Sequence, residues 1–156
     1  MNITRTCFWR DTAFFVAIIA TALALGGALA HAYELPNKID LGRESYFVIQ
    51  RIYDGWNRLA YVLAVQLVGI LVVVFLHRRQ TKVLGLAVLA LGALVSSQAI
   101  FWIWTYPANQ ATENWTQQPP NWEALRTYWE YSHLAGAGFQ LLAMAALVVA
   151  LLRRSK

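Results

Sequence analysis

Four long apolar runs constrain this chain more than any other feature. They cover residues 12–32, 56–76, 83–104 and 132–152. Uninterrupted apolar stretches of about 18 residues or more read as membrane-spanning helices, because hydrocarbon leaves no backbone polar group unpaired except in a helix or a closed barrel. The four runs take up so much of the 156 residues that no room remains for a separate soluble domain. The expectation is an all-α fold: one integral membrane domain, an antiparallel bundle of four transmembrane helices with short helical connections on the outer side. Only 13% of the residues are charged, about half the usual share for a soluble domain.

The net charge of +5 does not point to nucleic acid, because the basic residues sit at span ends. Arg5, Arg10, Arg78, Arg79, Lys82, Arg153, Arg154 and Lys156 fall on one side, and Lys38, Arg43, Arg51, Arg58 and Arg126 on the other. This bias places both termini in the cytoplasm of a multi-pass protein of the cytoplasmic (inner) membrane. The lipid bilayer is then the first partner. The single cysteine, Cys7, excludes thiol–disulfide chemistry that needs a pair. The sequence Ala30-His31-Ala32 resembles a signal-peptide cleavage site. The apolar run before it exceeds the usual h-region of roughly 7–15 residues, so it is read as a span.

Along the chain, Ala22, Gly26 and Ala30 form a small-residue stripe suited to close helix packing. Pro36 is expected to stop the first helix. Asp40 and Asn121 are expected N-caps. Tyr46, Ile49, Tyr53 and Trp56 mark an amphipathic outer helix. Residues 106–120 read as a long polar outer loop.

A polar layer stands at the outer ends of the first and last spans. His31 lies 19 residues past position 12, His133 lies 19 before position 152, and Asn57 lies 19 before position 76. At 1.5 Å per residue each sits roughly 28 Å from the inner face. Because the two spans run in opposite directions, His31-x-x-Glu34 and Glu130-x-x-His133 bring histidine level with histidine and glutamate level with glutamate. Ionisable groups at such depth need a reason, and four readings stand side by side. His31, Glu34, Glu130 and His133, helped by Asn57, Asp54 or Asn37, hold a single transition metal. Alternatively, His133 or His31 is a general base beside an aromatic-walled pocket of Trp56, Trp102, Trp104, Trp129 and Tyr131. A third reading has the two histidines grip a haem from both faces. In the fourth, the layer ties helix ends together in a non-enzymatic component that binds lipid or a partner protein.

Glu34-Leu-Pro36-Asn37-Lys38-Ile39, the pair Trp56-Asn57, and the run Asn121-Trp122-x-x-Leu125-Arg126-x-x-Trp129-Glu130-Tyr131-Ser132-His133 resemble the anthrone oxygenase-like small membrane proteins, a group known in part only as a domain of unknown function. The resemblance implies a four-span bundle. For some members it also implies oxidation of an aromatic anthrone to a quinone by O₂ without a bound organic cofactor. On that chemistry His133 and His31 would abstract protons with Glu130 and Glu34 beside them. Asn57 and Asn109 would polarise the substrate oxygen, and the tryptophans would stack on a hydrophobic, quinone-like ring.

Overall fold

A computed structural model describes residues 3–154, with side chains from Phe8 onward. The side chains of Arg5 and Cys7, and the whole of Lys156, lie outside that range. Among the described residues the chain is all helix and turn. In order these are α1 (Ile3–Lys38), α2 (Arg43–Gln50), two 3-10 turns (Arg51–Tyr53 and Trp56–Arg58), α3 (Leu59–Leu76), α4 (Thr81–Ile100), a π-helical segment (Phe101–Thr105), α5 (Tyr106–Ala111) and α6 (Trp122–Leu152). Four helical segments, 8–38, 56–76, 81–111 and 122–152, are long and apolar enough to cross a membrane. The protein is therefore a multi-pass membrane bundle.

Neighbours are set by packing. Helix α1 lies between α3 and α6, and α6 packs on α4, while α3 and α4 touch less and are held by the short turn at His77–Gln80. The first and last spans are thus direct neighbours, as the matched polar layers require. The core between them is built mostly of small and branched aliphatic side chains, among them Ala17, Ile70, Val73, Ala87, Ala90, Ala143 and Leu147. Alanine dominates because dispersion contacts between close backbones, rather than exclusion of water, hold helices together in lipid. Among the glycines the tightest approach is at Gly69, where an added Cβ would stand 3.0 Å from the Ala17 Cα. The stripe Ala22–Gly26–Ala30 is not that contact: Ala22 and Gly26 are exposed, and nothing approaches the Cβ position of Gly26.

Several expected boundaries shift for local reasons. Helix α1 runs through Pro36 to Lys38, although a proline there removes one N–H donor and crowds the carbonyl of the preceding turn. Gly42, not Asp40, precedes α2, and neither Gly42 nor Asn121 makes a side-chain cap. The expected loop at 106–120 is helical over its first six residues. The third span continues through the π-helical segment and α5 to Ala111, and only the part after it is loop. There, Glu113, Asn114 and Trp115 take positive φ values of 46, 55 and 64°, a left-handed turn that drives the Trp115 ring inward.

The end of the bundle away from the termini, here the distal end, is closed by a second core. Tyr46 and Phe47 of α2, Ala108, Trp115, Trp122 and Trp129 pack with Leu41, Tyr53 and Leu125. Arg126 fixes this cap: its guanidinium stands 4.7 Å over the Trp122 ring, and Nη1 donates to the Leu41 carbonyl at 2.7 Å. At the opposite end Arg154 pairs with Asp11, so the two ends of the described chain meet there.

Candidate functional site

The site lies beneath that cap, where the distal turns of α1 and α6 face each other. His31 and His133 pack ring on ring, 4.1 Å between centroids. Trp129, one turn before His133 on α6, stacks against it at 4.0 Å and meets His31 edge-on at 5.0 Å. Tyr53 and Trp56 complete the box from the 3-10 turns, with their rings 4.4 and 5.1 Å from His31. Gly55 between them has φ +85°, a conformation open to glycine and strained for other residues. It lets two rings from one short segment point at the same histidine.

The histidines differ in their hydrogen bonds. His133 Nδ1 lies 2.8 Å from the Trp129 carbonyl, which fixes it as a donor and leaves Nε2 as the basic nitrogen. His31 is buried, and its Nδ1 has no partner.

One helical turn further out the two glutamates meet Lys38, a partner that sequence reasoning missed. The Lys38 ammonium stands between the two glutamates, 3.2 Å from Glu130 Oε1 and 3.5 Å from Glu34 Oε2. It donates to Tyr53 Oη at 2.5 Å and lies 4.6 Å over the Tyr53 ring and 5.0 Å over the Trp129 ring. Tyr53 in turn donates to Glu34. On the other side the Tyr46 hydroxyl donates to Glu130 Oε1 at 2.9 Å and accepts from the Gln50 amide. Burial, then the charge of Glu130, raises the Tyr46 hydroxyl far above its usual range. Burial, then the hydrogen bond to Glu34, does the same to Tyr53. Both phenols therefore remain donors to carboxylates. Glu130 is buried with Oε2 unpartnered, whereas the Glu34 side chain is 40% exposed.

The metal reading gains no support from this arrangement. Between the carboxylates, where a metal would stand, is the chain's own ammonium. Among the described residues no three His, Cys, Asp or Glu side chains converge on one point. The haem reading fails on distance, because two rings in contact leave no gap for a macrocycle.

The remaining expected site residues divide. His31, His133, Glu130, Glu34, Trp56 and Trp129 are gathered here. Asn109 is adjacent, but its Oδ1 accepts from both the Trp129 and Trp115 indoles, at 2.9 and 3.1 Å; it orients Trp129. Asn37, Asn57 and Asp54 are exposed and outside the box. Trp102, Trp104 and Tyr131, expected as pocket walls, face outward at 58, 43 and 51% exposure. The π-helical turn at Phe101–Thr105 widens the helix by one residue per turn and rotates the residues after it. Thr105 is thereby turned inward, where its hydroxyl meets that of Ser132 at 2.6 Å.

Two features lie elsewhere. Gln66 and Gln140 exchange amide hydrogen bonds across α3 and α6, at 2.8 and 3.4 Å. An apolar groove of about 550 Å³, lined by Trp9, Val16, Val65, Gly69 and Val72 among others, opens between α1 and α3 toward the termini. No protein-family model matches the sequence, and neither a curated protein nor a solved structure matches it.

Proposed function

We propose that the protein is a membrane oxidoreductase of the anthrone oxygenase kind, acting at the distal end on a flat hydrophobic aromatic ketone drawn from the bilayer. The observation that supports this best is His31: a buried imidazole with an unpartnered Nδ1, walled by three large aromatic rings. A buried polar atom without a partner costs about 1–3 kcal/mol, and a base kept free among aromatic faces suits a ring substrate with an acidic C–H. His31 accepts the proton from the methylene carbon flanked by the aromatic rings. The resulting enolate gives its electrons to O₂ and forms a C–O bond, the peroxide takes the proton back from the His31 imidazolium, and the hydroperoxide loses its remaining C–H hydrogen and distal OH as water to leave a new carbonyl. One anthrone and one O₂ yield one quinone and one water. Entry is at the edge formed by Trp56 and His133, both half-buried, with Gly55 as the point about which the Trp56 segment yields. The excess of basic residues at the opposite end supports a cytoplasmic-membrane location with that end, and both termini, in the cytoplasm.

A second reading has one specific observation in its favour. The five rings already touch, at 4.0 to 5.4 Å between centroids, so they also suit a structural plug in a non-catalytic component. Oxygen uptake separates the two. Purified protein in lipid nanodiscs is supplied with a hydroxylated anthrone. Oxidation above the protein-free rate, falling about 10²–10⁴-fold in His31→Gln, supports the enzyme. No oxidation above background, or equal rates in both proteins, leaves the plug.

A further inference from the structure

We propose that the ion cluster beside the histidines is a binding site for a primary alkylammonium group, and that Lys38 is its tethered occupant. The contacts around Lys38 Nζ are those by which an ammonium ion is recognised. Two carboxylates lie at 3.2 and 3.5 Å, a phenol oxygen accepts at 2.5 Å, and two aromatic faces lie at 4.6 and 5.0 Å. A cation over aromatic faces is held by the ring quadrupoles, more strongly where water is excluded. Water is largely excluded here, with the Lys38 and Glu130 side chains 4% and 0% exposed.

The charges do not balance. Glu34 and Glu130 face one ammonium, and Glu130 Oε2 is buried with no partner. The Arg126 guanidinium, 5.5 Å over the Tyr46 ring, gives its Nη1 to the Leu41 carbonyl instead. The cluster therefore selects cations over anions, and the unpaired carboxylate oxygen adds a further acceptor for N–H. Each carboxylate also has a phenol donor besides Lys38: Tyr46, itself held by the Gln50 amide, donates to Glu130, and Tyr53 donates to Glu34. The cage should therefore survive loss of its occupant. In the intact chain the tether gives Lys38 an effective concentration that free amines do not match, so the site opens when the side chain is shortened. This inference is independent of the proposed oxidation, since it concerns the neighbouring ion layer and is read without turnover.

Lys38→Ala removes a fragment matching n-propylammonium. The full-length variant is purified in detergent, and its melting temperature is followed against n-propylammonium, with n-propanol as the neutral isostere. The amine is expected to raise the melting temperature with the logarithm of its concentration, by about 5–10 °C at about 100 times the dissociation constant, and the alcohol to leave it unchanged. Lys38→Met, which keeps the volume filled, is expected not to respond to the amine, and adding Glu130→Gln to Lys38→Ala is expected to weaken the response at least tenfold. Equal responses to amine and alcohol, a responsive Lys38→Met, or an undiminished response after Glu130→Gln would overturn the proposal. It also fails if Lys38→Ala gives no folded protein even when purified throughout in the amine.

Discussion

His31 and His133 stand ring to ring, 4.1 Å between centroids, on two neighbouring helices that run in opposite directions. Each lies within the distal turns of its helix, so the pair bridges the first and last spans where the bundle meets its aromatic cap. Around them the polar groups divide into two layers. The imidazoles sit inside a box of rings, and one turn outward Lys38 joins Glu34 to Glu130.

That ion layer predicts strong non-additivity. Removing Lys38 alone leaves two carboxylates facing each other, and removing Glu130 alone strips Lys38 of its buried partner. Breaking a buried pair from one side costs about 3–5 kcal/mol, whereas replacing both members by apolar groups is often nearly neutral. Lys38→Met and Glu130→Leu are each expected to destabilise by that amount, and the double variant by about 2 kcal/mol or less. Denaturation of the four proteins in one detergent gives the cycle.

The amide pair in the membrane interior behaves in the same sense on a smaller scale. Gln66→Leu leaves the Gln140 amide unpaired in hydrocarbon, a cost of about 0.6–2 kcal/mol. Adding Gln140→Leu should restore most of it. A double variant less stable than either single change would show that the amides do more than satisfy each other.

Close packing at Gly69 makes a sharper demand. A Cβ there meets Ala17 backbone atoms at 3.0 and 3.1 Å, and backbone cannot rotate away. Gly69→Ala is expected to cost about 1–3 kcal/mol, while Gly26→Ala, whose Cβ meets nothing within 4 Å, should cost nothing and stabilise, if at all, by up to about 1 kcal/mol. Melting temperatures of the two variants measured side by side decide it.

A pH response is expected at the other end of the bundle. His77 is fully buried against Phe14, with Nδ1 3.0 Å from the Val73 carbonyl and Nε2 unpartnered. Burial holds its pKa below the usual 6.5, with Arg10 and Arg154 acting in the same direction and the Val73 carbonyl and Asp11 opposing them. The unfolded chain therefore binds this proton first. Stability is fully present above about pH 6.5 and is lost as pH falls from there toward the lowered folded-state value, by up to about 1.4 kcal/mol per pH unit. His77→Leu should flatten the melting-temperature profile between about pH 7 and 5.

Much of this was legible beforehand, and the exceptions have local causes. Hydropathy located all four spans, and counting residues along two antiparallel helices placed His31 level with His133. Lys38 was hidden by Pro36. Read as a helix stop, Pro36 put Lys38 in a turn, yet the helix continues and the i, i+4 spacing from Glu34 carries Lys38 into the cluster. Tyr46 and Tyr53 read as part of an interfacial stripe because amphipathicity does not say whether a hydroxyl meets water or a buried carboxylate. Trp102 and Trp104 were misplaced because a π-helical turn rotates the helix without a hydropathy signal. The left-handed turn that buries Trp115 uses Glu and Asn where glycine would have announced it.

The most direct test of His31 as the base isolates proton abstraction from oxidation. Protein in nanodiscs is incubated without oxygen in D₂O with a hydroxylated anthrone, and loss of the methylene C–H signal is followed by NMR. Wild-type protein is expected to exchange that hydrogen well above the protein-free rate and His31→Gln to lose the effect, with the melting temperature of the variant within a few degrees of wild type. Exchange no faster than without protein, or equally fast in His31→Gln, would contradict a catalytic His31 and leave the ring cluster as a structural plug.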